Sequence, residues 1–188
     1  MSERRGMPFE WSFLLDALQA ERDQGITIDT SQIRFSTPNR DVLLIDAPGH
    51  VEFLKNMVTG AAQADAALLV IDAAEGVREQ SRRHGFLLHL LGVANVTVIV
   101  NKMDKVAYSE AEFRRIETEF RGYLASLGVT TGAFIPIAAR DGDMIVDRGA
   151  HLGWYDGATV VEAIDRLEPA RAAQDLALRI PVQDVYKF

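Results

Sequence analysis

Three short segments carry residue types spaced for phosphate and base chemistry. The first is Asp46-Ala47-Pro48-Gly49-His50, which follows the apolar run Val42–Ile45 and precedes a helical pattern. An acid at a strand end can hold Mg²⁺, usually through water. Gly49 allows a backbone N–H to approach a phosphate closely, and His50 is placed to orient an attacking water. The same residues also suit an ordinary strand-to-helix turn capped by Asp46. The second segment is Asn101-Lys102-Met103-Asp104, after the apolar run Val96–Val100. Guanine presents two N–H donors on one edge, and a fixed carboxylate such as Asp104 accepts both. Asn101 would brace the loop and reach the base, with the Lys102 stem packed over the ring. The third is Gln24-Gly25-Ile26-Thr27-Ile28-Asp29, where a threonine hydroxyl could ligate Mg²⁺ beside a terminal phosphate. Taken alone, Thr27 reads better as an exposed strand residue; the three segments together favour a nucleotide.

The elements that must position these residues follow from periodicity. Pro8 to about Asp23 reads as a helix with Phe9, Phe13, Leu14, Ala17 and Leu18 at helical spacing. Residues 26–36 alternate as a half-buried strand, and Thr37-Pro38-Asn39-Arg40 is a turn. Val42–Ile45 predicts a strand buried on both faces. Helices are expected over about 50–63, 79–91, 109–127 and 158–167, with strands at 66–71, 95–100 and 133–137. Strands alternating with helices predict a doubly wound α/β fold, a mostly parallel sheet with helices on both faces. Ligands of such sheets sit beyond the carboxyl ends of the strands, where the Asp46–His50 and Asn101–Asp104 segments fall. Residues 175–188 alternate again, like the first strand of a following β domain.

Bulk composition narrows the class. Hydrophobic residues make up 48% and charged residues 25% of the 188, the balance of a globular domain with a real core. A net charge of −7 argues against a broad electrostatic grip on nucleic acid or anionic lipid. The absence of cysteine excludes disulfides and thiolate metal sites. No apolar run has the length of a membrane span or a signal peptide, so a cytoplasmic location is expected.

This constellation resembles the translation-factor family of GTPases over nearly the whole chain. The resemblance implies GTP or GDP with Mg²⁺ as ligands. It puts Thr27 and Asp46 at the metal, Gly49 at the γ-phosphate and His50 at the water. Asn101, Lys102 and Asp104 would read guanine, with Ala138 and Ala139 in the loop where the family usually has Ser-Ala. Ala139 keeps a backbone N–H for the guanine oxygen, whereas Ala138 lacks the bracing hydroxyl. Within the family, Leu18–Asp29, Gln80-Ser81-Arg82-Arg83-His84 and Leu90–Val93 are similar to the GTPase subunits of bacterial sulfate adenylyltransferase. Trp154-Tyr155-Asp156-Gly157 is shared with both those subunits and eukaryotic-type elongation factors, and Asp184-Val185-Tyr186 leans toward the latter. The sulfate resemblance implies GTP hydrolysis driving adenylyl sulfate formation beside a catalytic ATP-sulfurylase subunit. The alternatives are an elongation-factor-like GTPase delivering aminoacyl-tRNA, which alone implies a nucleic-acid partner, or an inactive fragment of either.

One family feature is missing. The phosphate-cradling sequence G-x-x-x-x-G-K-[ST] of P-loop NTPases occurs nowhere in the 188 residues. The expectation is therefore an incomplete GTP-binding domain over 1–172, without its first strand and P-loop, and the opening strand of a β-barrel domain over 173–188. That strand belongs between the strands at 42–45 and 66–71, so a gap or a direct closure is expected there. Other candidates read as structural. Histidines other than His50 suit packing or solvent, because His84 and His89 do not share a helix face. Glu110, Glu112, Glu117 and Glu119 with Arg114, Arg115 and Arg121 suit a solvated, salt-bridged face. Phe9, Trp11 and Phe13 suit the packing of the first helix.

Overall fold

In a computed structural model of the chain, residues 27–167, apart from 94 and 130, are described. The expected helix at 8–23 and the strand at 175–188 lie outside them. The described strands form two sheets. Strands β1 (Ser31–Ser36) and β2 (Asp41–Asp46) make an antiparallel hairpin, with Ser31 opposite Asp46. Strands β3 (Ala66–Asp72), β4 (Asn95–Asn101) and β5 (Thr131–Pro136) make a parallel sheet in that order. No ladder joins β2 to β3 among the described residues, so these two strands do not close directly on each other. This is a mixed α/β fold with a parallel sheet, as expected, although its first two strands are antiparallel. The Thr37–Arg40 turn is too short for a parallel crossover and returns the chain directly.

Helix α1 (Leu54–Ala61) follows a short 3-10 turn at Val51–Phe53, a tighter start than the continuous helix expected from residue 50. Helices α2 (Glu79–Leu90), α3 (Glu110–Ser126) and α4 (Val160–Asp165) complete the order. Ser109 caps α3 by accepting the Glu112 N–H, and Thr159 and Glu162 form a reciprocal capping box on α4. On α3, Arg114 pairs with Glu110 and Glu117, Arg115 with Glu112 and Glu119, and Arg121 with Glu117, which is the salt-bridged face the sequence suggests.

The core lies on the parallel sheet. Val96, Val98 and Val100 of β4 are buried with Phe113, Ile116, Phe120 and Leu124 of α3. Gly85 lets α2 approach α3, because a Cβ there would lie 2.7 Å from Leu124 Cδ2. The hairpin is different. Leu43 is 45% exposed, so β2 is half-buried and not covered on both faces as expected. A short apolar run does not by itself say how many faces are covered. The hairpin turn instead clasps the end of α4: Arg40 donates to the carbonyls of Asp165 and Leu167, while Thr37 and Asn39 donate to the Asp165 carboxylate. None of the described helices is long and apolar enough to cross a membrane.

Candidate functional site

Parallel pairing puts the carboxyl ends of β3, β4 and β5 on one edge of the sheet. Asp72 stands opposite Asn101, and Ile137 donates its N–H to the carbonyl of Val100. Two loops therefore leave this edge side by side. Asn101 joins them: its Oδ1 accepts the N–H of Lys102 at 2.7 Å and that of Ala139 at 3.1 Å. Met103 donates to the Ile137 carbonyl at 3.1 Å, a second tie. The backbone around these contacts is strained. Lys102, Ala107, Tyr108 and Met144, the non-glycine residues with positive φ among those described, all lie in these two loops. Such conformations persist only where surrounding contacts hold them.

Lys102 reaches back to the sheet. Its Nζ lies 2.7 Å from Asp72 Oδ2, and Asp72 also accepts the N–H of Ala74. Burial pushes the Asp72 carboxyl up, but hydrogen bonds and charge from Lys102, with the neighbouring N–H groups, outweigh it and hold the group below its usual range. The same hydrogen bond raises Lys102 against a smaller desolvation penalty. Asp104 is exposed at the start of the 3-10 turn Met103–Val106. Ala138 is fully buried, its N–H bonded to the Asp143 carbonyl and its own carbonyl accepting from Asp141 and Gly142. Its side chain thus supports the loop from within, and Ala139 is the exposed member of the pair.

A second layer backs the loops. The buried Asp143 carboxylate lies 2.7 Å from His151 Nδ1, and the His151 ring stacks on Tyr108 at 4.5 Å. Trp154 donates to the Tyr108 carbonyl and the Tyr108 hydroxyl to Asp141. Desolvation, the Asp141 hydrogen bond and nearby carboxylates push the phenol to about 12.

Asp46, Gly49 and His50 lie on the hairpin side. Asp46 ends β2, and the turn after it meets α2, where Gln80 Nε2 and His84 Nε2 both come within hydrogen-bond distance of the Gly49 carbonyl. Burial lowers the half-buried His84 imidazole, and the Gly49 carbonyl opposes this in part. His50 is half exposed; its Nδ1 accepts the Glu52 N–H at 3.4 Å. Thr27 opens the described chain, in a coil running to Thr30 where a strand was expected. The Ile28 carbonyl of that coil accepts from Asn56 on α1. Among the described residues no three His, Cys, Asp or Glu side chains group as a metal site.

Sequence reasoning brought Asn101, Lys102, Ala138 and Ala139 together as the structure does. It missed Asp72, Gln80, His84 and the Asp143–His151 pair. Asp72 had a signal, an acid directly after a buried strand, the same signal that pointed to Asp46.

A parallel α/β sheet with polar loops gathered at its carboxyl edge belongs to the class of α/β domains whose ligands sit beyond the strand ends. The family described as "Elongation factor Tu GTP binding domain" matches residues 2–170, and the chain belongs to that family. Elongation factor 1-alpha of Thermococcus onnurineus is 43% identical over 184 residues, and that of Thermococcus celer 44%. Each alignment covers 98% of this chain and 43% of the relative, so the chain spans less than half the length of these relatives. Among solved structures, the bacterial selenocysteine-specific elongation factor EF-Sec is similar at a TM-score of 0.62 and 28% identity, covering 68% of this chain and 22% of that one. Elongation factor SelB of Methanococcus maripaludis, solved with the GTP analogue GppNHp, gives 0.55 and 32%, covering 62% and 25%. These relatives are elongation factors, and they give the sulfate adenylyltransferase reading and its ATP-sulfurylase partner no support.

Proposed function

We propose that the chain binds guanine nucleotides as the G domain of an elongation-factor-like GTPase. The observation that carries this is the double acceptor role of Asn101, which ties the Lys102 and Ala139 loops together at the carboxyl edge of the parallel sheet. In this reading Asp104 accepts the two guanine N–H donors, and Asn101 reaches the base beside the Ala139 backbone. The Lys102 stem covers the ring, and Ala138 supports the loop. Gly49 faces the terminal phosphate, His50 orients water, and Thr27 and Asp46 hold Mg²⁺, which would neutralise phosphate charge. Similarity to elongation factor 1-alpha supports a task in translation with aminoacyl-tRNA and ribosome as partners. The net charge of −7 places any RNA contact on a local patch and not on the domain's overall field.

The test is calorimetric titration of the folded chain with GDP and GTP in Mg²⁺, against Asp104→Asn. Binding is expected in the parent chain and at least a hundredfold weakening in the variant, because the charged acceptor is lost and an amide N–H faces a guanine donor, at about 3 kcal/mol. A folded chain that binds neither nucleotide overturns the reading for this chain.

A further inference from the structure

The two base loops are tied a second time, by residues other than Asn101. Tyr108 closes the turn that carries Asp104, its N–H bonding the Met103 carbonyl at 2.8 Å. Its hydroxyl donates at 2.9 Å to Asp141, in the loop that carries Ala139, and its ring stacks on His151 with 4.5 Å between centroids. His151 Nδ1 lies 2.7 Å from the buried Asp143 carboxylate. An ionised carboxylate only accepts, so the imidazole carries a proton on Nδ1 and donates it. The Asp143 carbonyl in turn takes the N–H of Ala138, next to Ala139. A circuit therefore runs from the Asp104 turn through two rings and a carboxylate to the Ala139 loop.

Both ends of the circuit are anchored, and both are strained. Trp154 donates to the Tyr108 carbonyl and packs on the buried Phe113, with ring centroids 5.4 Å apart. The Asp143 carboxylate lies against Gly149, where a Cβ would come 2.6 Å from Asp143 Cγ and where the φ of +69° suits glycine. Tyr108 and Met144, the residue after Asp143, hold positive φ without being glycine. Such strain is characteristic of backbone fixed for a ligand, and a cluster serving cohesion alone has no need of it. We infer that Tyr108, His151 and Asp143 are positioning residues that set the separation of Asp104 from Ala139, and with it the selectivity for guanine over a base lacking its amino group; this rests on the guanine-nucleotide reading and deepens it. Asp104 has to meet the ring N–H and the amino group of guanine together, which it does only while its turn is fixed relative to the Ala139 loop. Hypoxanthine keeps the ring N–H and the oxygen but lacks the amino group. Loosening the circuit therefore costs guanine more than it costs hypoxanthine.

The experiment titrates the full chain with GDP and with IDP, its hypoxanthine counterpart, in Mg²⁺, comparing His151→Ala, His151→Asn and Tyr108→Phe. His151→Ala is expected to lower the preference for GDP over IDP about fivefold and Tyr108→Phe about threefold, the range set by one net hydrogen bond. His151→Asn places an amide N–H where Nδ1 stood, and is expected to keep the preference within about twofold of the parent chain. If His151→Ala fails to fold by circular dichroism, Tyr108→Phe decides the question. A preference unchanged in Tyr108→Phe overturns the positioning role, as does equal weakening of both nucleotides in the folded variants, the mark of a cluster that only stabilises. A loss in His151→Asn as large as in His151→Ala overturns it too, because the bond to Asp143 would then set nothing. Parent chain that binds neither nucleotide, or both equally, defeats the guanine reading and this inference with it. Parent chain that prefers GDP, with variants that keep the preference, defeats this inference alone.

Discussion

The two halves of the candidate site stand on unlike foundations. The base-side loops leave a sheet whose central strand is buried from Val96 to Val100 and roofed by Phe113, Ile116, Phe120 and Leu124. The phosphate-side turn leaves a two-stranded hairpin that exposes Leu43 and packs only Phe35 and Val42, both partly buried, against that core; polar contacts add to its attachment, with Arg40, Thr37 and Asn39 on α4, Asn56 on the Ile28 carbonyl, and Gln80 and His84 at Gly49. Apolar burial is diffuse and cooperative, whereas a hydrogen bond is local and nets about 1 kcal/mol. The base loops should therefore open only with global unfolding, and the phosphate-side turn should open on its own at lower cost. A part that must recognise one fixed shape benefits from the first arrangement. A part that must respond to a phosphate that comes and goes benefits from the second.

The largest effect that would sharpen this contrast comes from truncating one apolar residue in each half. Phe120→Ala removes a fully buried ring and is expected to cost about 3–5 kcal/mol, whereas Leu43→Ala on the hairpin is expected to cost under about 1 kcal/mol. Urea unfolding with an unchanged slope measures both. Equal losses would mean that the hairpin is as much part of the core as α3.

The same contrast explains what could be read in advance. Val96–Val100 is a β-branched run, apolar but for Thr97, ending in Asn101-Lys102-Met103-Asp104, so strand, burial and polar loop all follow from adjacent residues. Val42–Ile45 carries an almost identical local signal, yet Leu43 is exposed, because coverage depends on what packs there and not on the run itself. His84 reads as a structural residue from its own helix. Its partner Gly49 lies 35 positions away, and nothing local announces a contact across that distance. Asp143 and His151 are eight residues apart in an irregular loop, a spacing with no periodicity to interpret. Contacts made by distant elements meeting, such as Gly49 with His84, leave no local signal.

A smaller effect tests how the hairpin is attached. Arg40→Ala removes two charged donors from the carbonyls that end α4, at an expected cost of about 2 kcal/mol. Native-state hydrogen exchange should show amides of β1 and β2 exchanging faster, with β4 protection lowered only if global stability falls. If β4 and β1 lose protection equally, the clasp supports the whole molecule and the two halves are not independent.

The smallest effect concerns the ion pair under the base loop. Lys102 is about half exposed and Asp72 mostly buried, so solvent screening limits the pair to about 0.5–1 kcal/mol. Its sign over pH is set by both partners. Asp72 has a lowered pKa in the fold, so its contribution is complete above the ordinary carboxyl value and is lost as pH falls through the lowered one. Lys102 has a raised pKa, so its contribution is complete below the ordinary ammonium value and is lost as pH rises through the raised one. Between about pH 4 and pH 10, the ordinary values of the two groups, the pair contributes a constant amount. The stability difference between the parent chain and Asp72→Asn, measured by urea unfolding across pH, should be a plateau that falls at both ends. It should also shrink in 1 M salt, where the screening length is only about 3 Å. A difference that is flat to the acid end would mean that Asp72 holds the loop through its hydrogen bonds alone, and that the rigidity of the base-side half owes nothing to charge.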